Sequence, residues 1–145
     1  DYEKIPLLAD TDLRGDYHRK RAIDLVHKTG SKAYEFIELK IASDTPLYAA
    51  MEILKYGVLY IFCRHDVRAS KLVDKESELM RAEKIHLQVL APKEYYEGYD
   101  LAWLETSINH GLTNFLRLKN LPGEIDFKFE TFSLNFSRLR AEWHR

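Results

Sequence analysis

Residues 22–46 have the sequence AIDLVHKTGSKAYEFIELKIASDTP, and the rest of the chain is organised around this stretch. Two apolar runs, 22–27 and 33–42, are rich in Ile, Val, Phe and Tyr, which favour β-strands. Between them, Thr29-Gly30-Ser31 is a turn signal. Two strands joined by so short a connection that contains glycine predict an antiparallel hairpin.

A helix is predicted directly after this hairpin. Asp44 or Thr45 can cap it, and Pro46 suits its first turn. The run that follows is apolar almost all round to about Cys63 or His65, which predicts burial against a sheet. Its polar positions 48, 52, 55 and 56 share one helix face.

The remainder of the chain continues the alternation of helices and strands. Five further elements are predicted: a linker at 66–83 with a helical piece near 75–83, a strand at 84–91, a helix at about 100–119, a strand at 124–132 and a short helix at 137–145. Helices that join successive strands predict right-handed crossovers and parallel strand pairs. The predicted fold class is α/β, as a single domain of residues 1–145. We expect a mixed sheet of about four to five strands, with an antiparallel hairpin and flanking helices.

Three charged residues stand out in the apolar hairpin. Alternate side chains of a strand point the same way, so Glu38 and Lys40 share one face of the second strand. On the first strand, Asp24 is a lone acid between Ile23 and Leu25, and the hairpin can bring it beside Glu38. Charges in such apolar surroundings are costly unless they are paired or used. We therefore treat Asp24, Glu38 and Lys40 as candidate catalytic residues.

Two acids and a lysine held in this way suit metal-dependent cleavage of phosphodiester bonds. Carboxylate oxygens are preferred ligands of Mg²⁺, which keeps positions open for water and phosphate. The ion lowers the pKa of bound water and stabilises the charge that develops on phosphate. A nearby lysine can position the attacking water or help to deprotonate it.

The same residues resemble a known family pattern. Asp24, followed by Glu38-Leu39-Lys40 at the end of an apolar strand and then by a helix, is similar to the PD-(D/E)XK nuclease superfamily, which has the restriction-endonuclease-like fold. The resemblance covers about residues 22–91 and implies a nuclease acting on DNA. It also implies Mg²⁺ (or Mn²⁺) held by Asp24, Glu38 and the carbonyl of Leu39, with Lys40 serving the nucleophilic water.

The helix after the hairpin extends the resemblance. Exonuclease-like members carry Gln-x-x-x-Tyr on this helix, and Glu52 to Tyr56 match that position with Glu in place of Gln. The match implies that Glu52 and Tyr56 also belong to the catalytic site. The chain differs from the family in having no Pro before Asp24. Glu3 is a weak candidate for the acid that many members supply from an upstream helix.

Composition limits the other classes of function. A formal net charge of −1 argues against a generally basic DNA coat, so nucleic-acid contact would come from a local patch such as His18–Arg21. The single cysteine, Cys63, cannot form an internal disulfide, and a cytoplasmic location is expected. The histidines lack zinc-site spacing. No membrane span is expected, because the apolar run 47–62 is short and is interrupted by Glu52 and Lys55.

Several alternatives stay open at this point. Glu38 and Lys40 could form an ordinary ion pair at the end of a sheet, and Glu52 and Tyr56 an internal hydrogen-bond pair. The chain could be a non-catalytic nucleic-acid-binding or protein-interaction subunit with the same fold. A homo-oligomer or a larger complex is also open. The tyrosines at positions 95, 96 and 99 could stack on bases or pack over a helix.

Overall fold

A computed structural model of the 145-residue chain describes residues 2–3, 23–42, 44–65 and 78–132. The strands are β1 (Tyr2–Glu3), β2 (Leu25–Lys28), β3 (Ala33–Leu39), β4 (Lys84–Ala91) and β5 (Glu124–Thr131), and the helices are α1 (Pro46–His65) and α2 (Ala102–Leu118). Two 3₁₀ turns, Glu78–Arg81 and Lys93–Tyr96, precede and follow β4. The basic run 18–21, the linker 66–77 and the predicted C-terminal helix 137–145 lie outside the described residues.

The strands form one open, mixed sheet in the order β1-β2-β3-β4-β5. The predicted hairpin is confirmed, since β2 and β3 pair antiparallel with Leu25 opposite Ile37. β3 pairs with β4, and β4 with β5, in parallel. The two-residue β1 adds an antiparallel edge to β2. The α/β class, with an open mixed sheet, an antiparallel hairpin and two helices, is therefore confirmed.

In the part of the chain that the structure describes, both helices cover the same face of the sheet. Successive right-handed crossovers that step in one direction, from β3 to β4 to β5, place their helices on one side. The covered face carries Phe36, Leu87 and Phe127. Ile53 of α1 and Leu112 of α2 pack into this core. The core therefore lies between one sheet face and a single layer of helices.

The other sheet face is polar. His27 pairs with Glu35 at 2.9 Å, and His86 pairs with Asp126 at 2.7 Å. These four residues form one continuous row across β2 to β5, because each lies opposite the next in register. Pairs of this kind between adjacent strands are a usual source of sheet stability.

α1 approaches the sheet closely at Gly57. A Cβ atom there would lie 2.7 Å from Leu87 Cδ1 and 3.3 Å from Ile125 Cδ1. Glycine lowers helix propensity by about 1 kcal/mol relative to alanine. Here the missing side chain allows the backbone of α1 to approach β4 and β5 closely.

The predicted burial of α1 against the sheet is confirmed, but only one side of the helix is covered in the part of the chain that the structure describes. Its sheet-facing side is buried, but Leu47, Met51, Val58 and Phe62 are each about half-exposed on the opposite side. Apolar composition predicts burial without indicating how many layers cover the helix. By length and composition α1 also meets the criteria for a membrane span, a property shared by core helices, and half of its most apolar window is buried inside the structure.

The strand ends near the charged residues differ from the prediction. β2 begins at Leu25 instead of residue 22, and Asp24 lies in the bend before it. Asp24 Oδ2 accepts a hydrogen bond of 2.9 Å from the Leu39 N–H, in place of a strand-to-strand bond. β3 ends at Leu39 instead of residue 42, although the Lys40 N–H still donates to Leu90 O at 3.1 Å.

α2 closes the free edge of β5 with two side chains. The Asn109 amide accepts a hydrogen bond from Phe127 N–H at 2.8 Å and donates one to Phe127 O at 2.9 Å. The Glu105 carboxylate accepts a hydrogen bond from Phe129 N–H at 3.0 Å. An edge strand otherwise presents unpaired backbone groups to solvent or to another chain. These bonds fix α2 against the sheet.

We expect Asn109→Ala to lower the free energy of unfolding by about 1–3 kcal/mol, because the backbone donor and acceptor of Phe127 lose their partner. The loss should appear although alanine is the better helix former. Urea unfolding measures it. Asn114→Ala on the same helix is the matched control, because among the described residues Asn114 accepts a single long side-chain bond, from Arg117 at 3.4 Å, and the change in stability should be less than about 0.5 kcal/mol. Equal stability of the two variants would contradict the edge-closing role.

Candidate functional site

The charged residues gather at one edge of the sheet. β3 and β4 are parallel and end together, with Leu39 opposite Leu90. Lys40 follows β3 directly, and α1 begins six residues later at Pro46. In open α/β sheets, ligands bind outside the carboxyl ends of the strands. The chain therefore places its charged cluster where this architecture most often carries a site.

Lys40 lies at the centre of this cluster. Its Nζ is 3.0 Å from Glu38 Oε1, 2.5 Å from Glu52 Oε2 and 3.5 Å from Asp44 Oδ2. Lys40 is 8% exposed and Glu38 is 6% exposed. Charged side chains are rarely buried so deeply unless they are paired. The structure thus brings Glu38, Lys40 and Glu52 into direct contact.

Asp24 reaches the cluster from the other strand of the hairpin. Leu25 lies opposite Ile37, so Asp24, in the bend just before β2, is near the end of β3 that carries Glu38. The charge of Asp24 is close enough to Glu38 to raise the pKa of that acid. The hydrogen bond to Leu39 N–H fixes the Asp24 carboxylate at this end of the hairpin.

Burial and the neighbouring acids change the proton affinity of the cluster. The pKa of Glu38 is raised to about 7, first because burial disfavours its charged form, and further by the negative charges of Asp24 and Glu52, while Lys40 opposes the rise. Burial lowers the pKa of Lys40, but its hydrogen bonds to Glu52 and Glu38 outweigh this effect and raise the pKa overall. Lys40 is therefore charged at neutral pH and shared among several carboxylates.

The donor set suits a hard divalent cation. Asp24 and Glu38 carry carboxylates, and the Leu39 carbonyl adds an oxygen of the kind that Mg²⁺ and Mn²⁺ accept. Within the described ranges, no three acidic, histidine or cysteine side chains form a group that could hold a metal ion, and Glu38 and Glu52 both contact Lys40. Mg²⁺ is commonly bound by one or two carboxylates and completed by water and substrate oxygens. The residues present fit an ion of that partly hydrated kind.

The other residues implied by the sequence pattern lie in different surroundings. Tyr56 is on the same helix face as Glu52 but belongs to the buried core, with Lys55 Nζ 4.8 Å from its ring centroid. Glu3 lies in β1, opposite Val26. Of the two residues expected on α1, Glu52 contacts the charged cluster and Tyr56 is part of the interior next to it.

Asp44 is a member of the cluster that was not identified as a site residue from the sequence. Asp44 or Thr45 was expected to cap α1, and Thr45 does so, since its Oγ1 accepts a hydrogen bond from Tyr48 N–H at 3.3 Å. Asp44 instead adopts a φ of 70° and pairs with Lys40. A left-handed φ is uncommon outside glycine, and such conformations occur preferentially at functional sites. In the sequence, the only indication that Asp44 pairs with Lys40 is their spacing of four residues.

Comparison of the chain with protein-family models, with curated proteins and with solved structures gives no match. What the charged cluster can do therefore follows from its own residues and from the sequence pattern that they form.

Proposed function

We propose that this protein is a divalent-cation-dependent nuclease that hydrolyses phosphodiester bonds of DNA, built on a restriction-endonuclease-like sheet of the PD-(D/E)XK type. One observation carries the proposal: three separate segments of the chain bring together, at the carboxyl ends of the parallel strands, the side chains of Asp24, Glu38, Lys40 and Glu52. A buried acid and two partly buried acids beside a buried lysine suit metal-assisted phosphodiester cleavage.

Asp24 and Glu38, together with the carbonyl of Leu39, would hold Mg²⁺ or Mn²⁺. When bound, the ion would lower the pKa of water and offset the charge on phosphate. Asp24 also accepts a hydrogen bond from the Leu39 N–H, and this bond orients the backbone of Leu39, the residue whose carbonyl belongs to the ligand set. Glu38 has a pKa of about 7 without a cation, because burial and nearby acids disfavour its charge. A positive charge at this point favours the carboxylate form.

Lys40 and Glu52 have linked roles. Lys40 presents a permanent positive charge at the cluster, suited to orienting a water molecule and to offsetting the negative charge of a phosphate. Glu52 holds the ammonium from α1, and the Tyr48 ring lies 5.8 Å from Nζ. Glu52 is thus a positioning residue that acts through Lys40.

A second function is favoured by a specific contact. The Lys40 ammonium meets three carboxylates, those of Glu38, Glu52 and Asp44, as in a purely structural ion-pair cluster. On this reading the chain is a non-catalytic nucleic-acid-binding or protein-interaction subunit of the same architecture. It would cut no substrate and would need no divalent cation.

The two functions are separated by an assay of the parent protein on single- and double-stranded DNA and RNA of one sequence. We expect cleavage of DNA that requires Mg²⁺ or Mn²⁺ and stops when EDTA is added. The melting temperature should also rise with millimolar Mn²⁺, because the cation binds only the folded state. A protein that cuts nothing and shows no such rise is not this nuclease. Retention of DNA in EDTA by that inactive protein would support the binding subunit.

A further inference from the structure

Two neighbouring tyrosines after β4 have different surroundings. Both lie in the 3₁₀ turn Lys93–Tyr96. The Tyr96 hydroxyl donates toward Val89 O at 2.7 Å and Glu130 O at 3.0 Å, and so ties the turn to the ends of β4 and β5. The Tyr95 hydroxyl is buried and, among the residues that the structure describes, has no hydrogen-bond partner. Tyr96 therefore has a structural role that Tyr95 does not share.

Packing holds the ring of Tyr95 in place. Its ring meets that of Tyr96 edge to face, with centroids 5.4 Å apart and an interplanar angle of 76°. Tyr95 also packs against the hydrophobic core. A buried polar group without a partner is rare in native proteins, and each such case calls for a specific explanation. Because these contacts hold the ring, they also hold the position of its unpartnered hydroxyl group.

Tyr95 lies beside the charged cluster. β4 ends at Ala91, next to the end of β3, and the turn that carries Tyr95 starts two residues later. Burial raises the pKa of Tyr95, and the charges of Lys40, Asp44 and Glu52 also act on it. The phenol is therefore neutral at physiological pH, with its proton available for donation.

We propose that Tyr95 is a substrate-contacting residue of this site, whose hydroxyl donates a hydrogen bond to an anionic phosphate oxygen of the nucleic-acid backbone bound beside Lys40. This inference rests on the proposed nuclease function and names a further residue for it. The acids of the cluster can only accept hydrogen bonds when they are charged. The three protons of the Lys40 ammonium face three carboxylates. The Tyr95 hydroxyl is a donor without a partner among the described residues, and a phosphate oxygen is an acceptor of the kind that it lacks.

Tyr95→Phe removes this hydroxyl and keeps the ring. We expect kcat/KM for DNA cleavage to fall on the order of 10- to 100-fold, the range of a hydrogen bond to a charged group. The melting temperature should stay unchanged or rise, because a buried hydroxyl without a partner is lost. A purely structural hydroxyl would give the opposite pattern, with a lower melting temperature and unchanged kcat/KM.

Tyr96→Phe is the matched control, because it removes a hydroxyl that bonds backbone carbonyls in the same turn. It should lower the melting temperature while changing kcat/KM much less than Tyr95→Phe does. An active parent with an equally active Tyr95→Phe variant would overturn this inference and leave the nuclease proposal standing.

Binding provides a second measurement if the parent cuts nothing. Calorimetric titration with a short DNA duplex in the presence of Ca²⁺ compares the parent with Tyr95→Phe. Affinity reduced by about tenfold or more in the variant would support the phosphate contact without cleavage. Equal affinity of the two proteins, or no binding by the parent, would overturn it.

Discussion

Lys40→Ala is expected to reduce the rate of DNA cleavage by about 10²–10⁴-fold, the usual effect of removing a positioned acid–base group. Lys40 carries the permanent positive charge of the site and is held by Glu38 and Glu52. Single-turnover cleavage at saturating Mg²⁺ measures the effect. Lys32→Ala is the matched control, since Lys32 precedes the other end of β3, is exposed and pairs with Glu83.

The same substitution should also lower stability, because the carboxylates around Lys40 lose their counter-charge. Removing one partner of a buried ion pair costs about 3–5 kcal/mol. Proton uptake by Glu38, whose pKa is already about 7, reduces this loss. Cleavage must therefore be measured at a temperature at which circular dichroism shows the variant to be folded. Loss of stability with full cleavage activity would identify Lys40 as a structural ion-pair residue.

Asp24→Asn is expected to abolish cation-dependent cleavage and the stabilisation by Mn²⁺, while the cation-free protein keeps its stability or gains some. An asparagine carbonyl can still accept the Leu39 N–H, so this hydrogen bond is retained. In the parent protein the negative charge of Asp24 raises the pKa of Glu38. Removing that charge relieves the repulsion between the two carboxylates. Thermal melts with and without Mn²⁺ measure both effects.

Asp24→Ala is the matched variant, because it loses the charge and the Leu39 hydrogen bond together. It should be less stable than Asp24→Asn by about 1–3 kcal/mol, the range for a donor left without its acceptor. If Asp24→Asn keeps its response to Mn²⁺, Asp24 is not a cation ligand. The proposed ligand set would then have to be abandoned.

Because Asp24 contributes to the raised pKa of Glu38, we expect Asp24→Asn to change how the free energy of unfolding depends on pH. Folding raises this pKa from an ordinary value of 4.5 to about 7, so the folded state binds the proton more tightly. Glu38 therefore lowers the free energy of unfolding progressively as pH rises from about 4.5 to about 7 in cation-free buffer. Asp24→Asn should weaken this slope and Glu38→Gln should remove it, whereas Glu83→Gln at an exposed position should not. Urea unfolding at about pH 5 and pH 8 would contradict the coupling if all four proteins gave one slope.

Local sequence was sufficient for the hairpin and for the start of α1. Thr29-Gly30-Ser31 sets the turn, and Pro46 marks the first turn of the helix. Alternation along β3 placed Glu38 and Lys40 on one face, since a strand repeats every two residues. Glu52 was chosen because the next helix resembles the pattern of the PD-(D/E)XK nucleases. These predictions depended on spacings that a single element imposes on its own side chains.

Tertiary contacts were needed for the rest of the site. Asp24 lies in the bend before β2, and its side chain accepts a hydrogen bond from the backbone of Leu39, 15 residues away. Asp44, one of the two candidates for the cap of α1, adopts a left-handed φ and pairs with Lys40. The hydroxyl of Tyr95 is brought to the site by the pairing of β3 with β4, two strands that a whole helix separates in sequence. The periodicity of a single strand or helix does not predict contacts between residues that come from different elements.

The same limit applies to the faces of the sheet and of α1. The apolar residues of α1 predicted burial, but strand order and crossover direction determined that both described helices cover one sheet face, which leaves Leu47, Met51, Val58 and Phe62 half-exposed. Propensity, capping and periodicity act between residues a few positions apart, and they largely specify which elements form. Burial and the environment of each charge depend on residues distant in sequence, so they are established only when the sheet and its helices assemble.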